Sequence, residues 1–593
     1  MKVIKVKVKH LIICFLLISV VILGGFNFSQ QALYFYAKNQ AEAGNKLAAF
    51  EAYQKTAALF PKRTLAAEAL YWSTQLWNWS DSQPIFYIFP GRSSSSGVFT
   101  AEAPSIETLI QIYEKIIADH PDTIWAQHSR NRIVDLYFEL GEWHQVKEIY
   151  EGALTSGHSL SGWEYERLMQ VYRALGDYDN ALLYANLSLE EGYHFSEVVA
   201  QELKGDIELQ KNNFVRAKIA YKEALQLAQE LDSNIQFDGS EKPMHAPESS
   251  SLTQTLMLKL TALENLLSMP ANQQKLGTIT GQLLAIEKPL ANIRIYLEST
   301  NRNSWSTPPQ SDTPTVLTDA EGRFTFTGII PGEYQLGIGV SFHQIEGLVP
   351  RMSYEDKVIV KPGETAESNI LLVEPFKVLA PIDGFVFSLN DYPEFSWELI
   401  PEAATYELHI AVKDGDGTYG TIFANDIAEN NYTLDLTSRA PNFYGVRHSS
   451  AGISASSILG FFYPGGEYIW SIKAYDKNGN YLTSTDAFYL WEERVSKPHF
   501  FVSSEELLPA DRLLIEKKYQ ESIASYESII LENPTNIHAL SALARIYFYG
   551  TSYDGNNQNL AKALEYAELL VNIDPSNHNT ELLKNIKYKK EKI

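Results

Sequence analysis

Hydrophobic positions change their spacing along the chain, and each spacing predicts a different architecture. Lys2, Lys5, Lys7 and Lys9 precede a largely apolar run of 16 residues, Leu11–Phe26. Over 31–235 apolar positions recur every three or four residues, the period of helices that bury one face. A polar stretch and a helical pattern near Leu252–Leu267 close this block across 236–276. Over 277–375 and 376–495 apolar and polar positions alternate, as in strands with one buried face. Helical spacing returns over 496–593. The fold class expected is multidomain α and β, helical at both ends and β-rich in the middle.

The helical stretches are self-similar. LYFELGEWHQVKEIYEGAL surrounds Gly141, VYRALGDYDNALLYANLSL surrounds Gly176, and IELQKNNFVRAKIAYKEAL surrounds Asn212. Gly141 and Gly176 are 35 residues apart, and Gly176 and Asn212 are 36 apart. In the last unit Gly205, Asn212, Ala217, Tyr221 and Ala224 read as a small residue, a turn, a small residue, an aromatic and a small residue. Earlier units supply Gly44, Ala49, Tyr53 and Pro61, then Tyr113 and Pro121; a C-terminal set supplies Ser522, Tyr526 and Pro534, then Tyr547 and Pro575. The pattern resembles tetratricopeptide repeats (TPR), whose period is about 34 residues. That resemblance implies helix pairs stacked into a solenoid whose first helices line a concave groove. Projected from the landmarks, the groove-binding candidates are His128, Asn131, Asp135, Trp163, Glu166, Gln170, Glu202 and Asp206. An aromatic segment carrying Trp72, Trp77, Trp79, Phe86, Tyr87 and Phe89 interrupts the early repeats. It reads as a loop folded back on the core or as a surface for a membrane or ligand, the first being favoured.

In the middle, TVLTDAEGRFTFTGIIPGEYQLGIGV places Thr318, Asp319, Gly322, Phe324, Phe326, Pro331, Gly332, Tyr334 and Leu336 as a hairpin with aromatics on one face. It resembles the carboxypeptidase regulatory-like, transthyretin-like β-sandwich family, an accessory module without catalytic residues. The next stretch, with Trp397, Ala404, Tyr406, Tyr468 and Trp470, resembles a bacterial fibronectin type III-like sandwich. Within it, residues 436–465 form a long insertion, and long loops in compact domains tend to carry function. It reads as a contact surface, with Phe443, Tyr444, Arg447, His448, Phe461, Phe462 and Tyr463 as loop contact candidates, or as a loop packed against its own sandwich, the second being favoured.

The N-terminal run would span about 24 Å as a helix, against a hydrocarbon core of about 30 Å. Cations before an apolar segment mark a signal peptide or a signal anchor. No small-residue cleavage pattern follows, which favours a retained transmembrane anchor over residues 1–30. Cys14, the one cysteine, lies inside that run. The remaining chain therefore has neither disulfides nor cysteine-ligated zinc, as suits an exported protein. The net charge of −23 provides no basic stripe for nucleic acid.

Catalytic patterns are missing from the linear sequence. GISAS at Gly452–Ser456 lacks the second glycine of a nucleophile elbow, and no phosphate-cradling or dinucleotide-binding loop occurs. The oxygen-rich strings at Asp414–Asp416 and Asp476–Asn480 begin like calcium loops but lack the closing glutamate, so they read as hairpin turns. No metal and no cofactor is expected. The function expected is a membrane-anchored, extracytoplasmic, cell-surface scaffold without enzymatic activity, binding a protein or peptide partner. The alternative is a glycan- or cell-wall-binding protein that uses aromatic loops of the β-modules.

Overall fold

The computed structural model describes residues 29–77, 85–95, 103–157, 159–192, 195–234, 251–300, 313–382, 384–414, 417–436, 446–449, 452–487, 498–552 and 555–592. The apolar run Leu11–Phe26 of the expected anchor lies outside them. Among the described residues no helix is long and apolar enough to cross a membrane. The chain divides into two compact units, one of 1–346 and 352–372, the other of 347–351 and 373–593.

In the first unit, helix α1 covers residues 29–42 and is followed by α2 (Lys46–Leu59), α3 (Thr64–Thr74), α4 (Ile106–Asp119), α5 (Ile124–Leu140) and α6 (Trp143–Thr155). Then come α7 (Gly162–Ala174), α8 (Tyr178–Glu190), α9 (Phe195–Gln210), α10 (Phe214–Asn234) and α11 (Ser251–Ser268). They form successive antiparallel pairs. The turn inside a pair requires a left-handed residue, and the sequence landmarks supply it: φ is 80° at Gly44, 73° at Gly141, 74° at Gly176 and 59° at Asn212. Ser105, Thr123 and Ser161 cap α4, α5 and α7 by accepting backbone amides, and Glu164 completes a capping box with Ser161. Close approach within a pair depends on small residues. A Cβ added at Gly205 of α9 would lie 2.4 Å from the Tyr221 ring of α10, so only glycine admits that aromatic.

The β-part of this unit begins within the repeats. Strands β1 (Ile85–Phe89) and β2 (Arg92–Ser95) form a hairpin between α3 and α4, the two helices of one pair. The sandwich itself contains β3 (Gly277–Ala285), β4 (Lys288–Pro289), β5 (Arg294–Ser299), β6 (Thr315–Leu317), β7 (Arg323–Ile329) and β8 (Gly332–Ser341). Its first sheet runs β2-β1-β8-β5-β6, so the hairpin from the helical block completes it, Tyr87 pairing with Gly339 and Ile88 with Ile338. Phe89 and Tyr87 are buried against Tyr296, and Phe89 occupies the space that Gly337 leaves free of a side chain. Arg92 stacks over Phe89 and pairs with the buried carboxylate of Glu298. The second sheet is built on β3, which pairs with β4 and β7.

The second unit joins a sandwich to a C-terminal block of helices. A sheet of Val378–Ala380, Glu394–Trp397 and Asn431–Thr433 faces a larger one whose long strands are Thr405–Asp414, Gly417–Ile427 and Glu467–Tyr475. Phe395, Trp397, Tyr406, Tyr468, Trp470 and Phe500 fill the space between, with Phe395 and Trp470 edge to face at 4.8 Å. Helices Pro509–Ile515, Tyr519–Glu532, Ile537–Tyr549, Leu560–Ile573 and Asn577–Glu591 follow. Their core is continuous with that of the sandwich.

One expectation is corrected by this arrangement. Phe461, Phe462 and Tyr463, offered as contact residues of an exposed insertion, are buried at 8%, 0% and 5% exposure. Phe461 and Phe462 pack on Phe423 and Tyr468, and the backbone beside them receives the helices. Arg545 donates to the Ile458 carbonyl at 2.8 Å, and Lys517 donates to that of Ile453 at 2.8 Å. The insertion is therefore the seam between sandwich and helices. Arg447 and His448 are half-buried there, with Arg447 stacked over Tyr419, while Phe443 and Tyr444 lie outside the described residues.

Candidate groove on the first helices of the repeats

The first helix of each pair contributes to one face: α3, α5, α7, α9 and α11 in turn. Polar side chains on this face bond from one repeat to the next. At the N-terminal end, Gln75 donates to the Tyr113 hydroxyl at 3.0 Å and accepts from Arg132 at 3.4 Å. Asp135 of α5 accepts from Arg167 of α7 at 2.5 Å and lies 3.5 Å from Arg132. Arg167 in turn stacks over Trp163 at 4.2 Å and Phe138 at 4.8 Å.

Farther along, a compact ionic cluster ties α7, α9, α10 and α11 together. Arg173 grips Glu202 with both terminal nitrogens, at 3.0 and 3.2 Å, and reaches Asp206 at 3.2 Å. Lys259 donates to Glu202 at 2.6 Å and to Asp206 at 3.0 Å. The Tyr221 hydroxyl adds a third donor to Asp206 at 2.7 Å. Glu202 is fully buried. Burial opposes its ionisation, but Arg173 and Lys259 outweigh that and hold its carboxyl down to about 2. Burial and Asp206 push the Tyr221 phenol well up. Two cations and two carboxylates balance, so this stretch is a polar fastener between repeats.

The expected groove residues therefore divide. His128 and Asn131 are exposed on α5, and Trp163 is 41% exposed on α7. Glu166 is half-buried and accepts from Gln170 at 3.2 Å; burial raises its carboxyl. Asp135 is accessible but already shared by two arginines. Glu202 and Asp206 belong to the fastener, and Glu202 has no exposed surface with which to meet a ligand, which corrects its assignment.

Tyr71, Trp72 and Trp125 were not among the expected groove residues. The Tyr71 ring lies 5.2 Å from Trp125 and 5.6 Å from His128, and Trp72 lies 6.0 Å from Trp125. Trp72 is 42% exposed. Trp125 precedes His128 by three residues, a helical spacing that would have placed it on the same face.

The calcium-like string at Asp476 is a turn: its carboxylate accepts the backbone amides of Asn478 and Asn480, both at 2.8 Å. Among the described residues no group of three His, Cys, Asp or Glu is placed to hold a metal ion.

Helix pairs stacked by first-helix contacts, followed by a β-rich part, define a helical-repeat protein of mixed α and β architecture. Residues 98–237 match the family model of the tetratricopeptide repeat-like domain. No curated protein matches the chain significantly. Among solved structures, similarity extends to Pseudomonas aeruginosa pilF, at 14% identity over 41% of this chain and 94% of that one, with a TM-score of 0.21. BcpA, the major pilin subunit of Bacillus cereus, is 14% identical over 36% of this chain and 68% of its own, with a TM-score of 0.15. A streptococcal ancillary pilin is 10% identical over 39% and 60%, with a TM-score of 0.14. So little of these folds superposes that their names have no bearing on this one.

Proposed function

We propose that the protein is a membrane-anchored, extracytoplasmic scaffold that holds a polypeptide partner in the groove of its N-terminal repeats and has no catalytic activity of its own. The observation that carries the reading is the open aromatic and cationic stretch of the first-helix face, which runs from Trp72 of α3 to Trp125 and Trp163 within the tetratricopeptide repeat-like domain of residues 98–237. Such domains commonly work as protein-interaction scaffolds. Supporting the location are the four leading lysines, the apolar run after them and a chain otherwise free of cysteine. The two β-modules, read as carboxypeptidase regulatory-like and fibronectin type III-like sandwiches, serve as spacers. The glycan alternative loses the support of the fibronectin-like insertion, because three of its aromatic contact residues are buried.

Affinity capture by the full chain tests this reading. Capture of a defined polypeptide that falls when Trp163→Ala and Gln170→Ala are combined, and persists when Leu183→Ala is made on the second helix of that pair, is the expected result. Retention on polysaccharide alone, or capture indifferent to the groove variants, would overturn it.

A further inference from the structure

The end of the helical block that adjoins the apolar run has a chemistry of its own. Helix α1 begins at residue 29, and the run ends at Phe26. Gln30 is wholly buried and donates to the Thr56 carbonyl of α2 at 3.0 Å, and farther along Tyr34 meets Tyr53 at 5.6 Å. The two helices are therefore antiparallel, and the C-terminal end of α2 lies beside the start of α1. The turn from α2 to α3 sits at that same end. It exposes Leu59, Pro61 and Lys62, and the Arg63 guanidinium stacks over the half-buried Phe60 ring at 4.3 Å. Residues 29–37 carry no charged side chain. Residues 52–67 carry Lys55, Lys62 and Arg63 without one Asp or Glu, in a chain with 72 acids against 49 Lys and Arg. The turn between α4 and α5 has the same backbone: the Thr123 amide donates to the His120 carbonyl at 3.1 Å, as the Arg63 amide does to that of Phe60. There, however, the exposed side chains include Asp119 and Asp122. The basic and apolar character of Leu59–Arg63 is therefore not a demand of repeat geometry.

We infer, resting on the reading of the apolar run as a retained membrane anchor, that the Leu59–Arg63 turn docks on the outer headgroup layer of the bilayer that holds the anchor. The reach is short. From Phe26 to Gln30 the chain spans about 14 Å at most. The run itself covers about 24 Å of a hydrocarbon core about 30 Å thick, and the headgroup layer adds about 5–7 Å on each side. The start of α1, and the turn beside it, are thus held close to the lipid phosphates. Lys62 and Arg63 match those phosphates in charge, and Leu59 and Phe60 supply the apolar contact that interfacial segments bury. The docked turn orients the first helix pair, whose opposite turn at Gly44 then stands about 20 Å farther out.

Quenching of an attached fluorophore tests this in the full chain, with Cys14→Ala removing the one native thiol. Nitrobenzoxadiazole is attached through Thr64→Cys, exposed beside the turn, or through Ala43→Cys, exposed at the far end of the pair. The chain is reconstituted into vesicles of phosphatidylcholine and phosphatidylglycerol that carry a nitroxide on the lipid headgroup. Quenching at position 64 and none at position 43 is expected. Lys62→Gln is expected to lower the docked-to-undocked ratio about fivefold, and its combination with Arg63→Gln roughly thirtyfold, as loss of one and of two cations near an anionic surface does. A circular-dichroism melt checks that both variants fold, and Lys62→Gln alone carries the test if the double variant does not. Retention of the chain through an alkaline wash with no quenching at 64, or with equal quenching at 43 and 64, overturns the inference and leaves the anchor. Quenching at 64 that is indifferent to Lys62→Gln also overturns it. Release of the chain by the wash overturns the anchor and the inference together.

Discussion

Replacing Glu202 by glutamine keeps the size of the side chain and removes its charge. In the wild type this carboxylate is enclosed between Arg173 and Lys259 and is the only fully buried acid of the cluster. Its pKa falls from 4.5 to about 2 on folding. At about 1.4 kcal/mol per unit that is roughly 3 kcal/mol, at the lower edge of the roughly 3–5 kcal/mol lost when one partner of a buried pair is removed. In Glu202→Gln the two cations share Asp206 alone, so the loss should concentrate in α9 and α11. Hydrogen exchange with mass spectrometry reads it locally in the full chain. Protected amides of Phe195–Gln210 and Ser251–Ser268 should exchange roughly 100-fold faster at neutral pH, while Glu190→Gln, an exposed control, changes nothing. The pH dependence has a definite sign. A depressed carboxyl pKa gives stability that is full above 4.5 and is lost as pH falls towards about 2, and Glu202→Gln should flatten that slope. Unchanged protection in α9 and α11 would refute the view that this cluster fastens the repeats.

Other consequences follow from close packing and from a second buried cation. Gly205→Ala forces a methyl group against the Tyr221 ring and should cost about 1–3 kcal/mol, visible as a lower melting temperature. Gly337→Ala places a Cβ 2.3 Å from Phe89, so amides of Ile85–Phe89 should lose exchange protection while those of α7 and α8 keep theirs. In the second unit His578 sits 2.6 Å from the buried guanidinium of Arg545; burial first, then that cation, push its pKa down to about 4. A depressed histidine pKa means that stability holds above about 6.5 and declines as pH falls towards 4. Because His578 is only partly buried, solvent screening reduces the loss to about 1 kcal/mol, measurable as a shift of the urea midpoint between pH 7 and pH 4.5 that His578→Gln diminishes.

Which features could be read from the linear chain follows from their range of interaction. Gly44, Gly141, Gly176 and Asn212 announced the turns because a left-handed backbone is a local demand, and each adopts it. Gly205 and Tyr221, in adjacent helices of one pair, were legible for the same reason. The hairpin at Ile85–Ser95 was not. Its partner β8 lies some 250 residues later, and the short apolar run IFYIF suits a loop, a helix end or a strand until that partner is known. The Phe461–Tyr463 cluster misled for a related reason: aromatics beside serine and glycine fit an exposed loop as well as a buried seam, and only Arg545 and Lys517 of the later helices decide between them. Glu202 looked like a ligand contact because its cationic partners stand 29 residues before it and 57 after it.

The central claim is that the face built by the first helices of the repeats holds a polypeptide. A photo-crosslinking residue at Trp163, compared with one at Leu183 on the second helix of the same pair, tests it most directly in cells making the full chain. The account predicts polypeptide adducts from position 163 and none from position 183. Equal adducts from both, or none from 163, would contradict it.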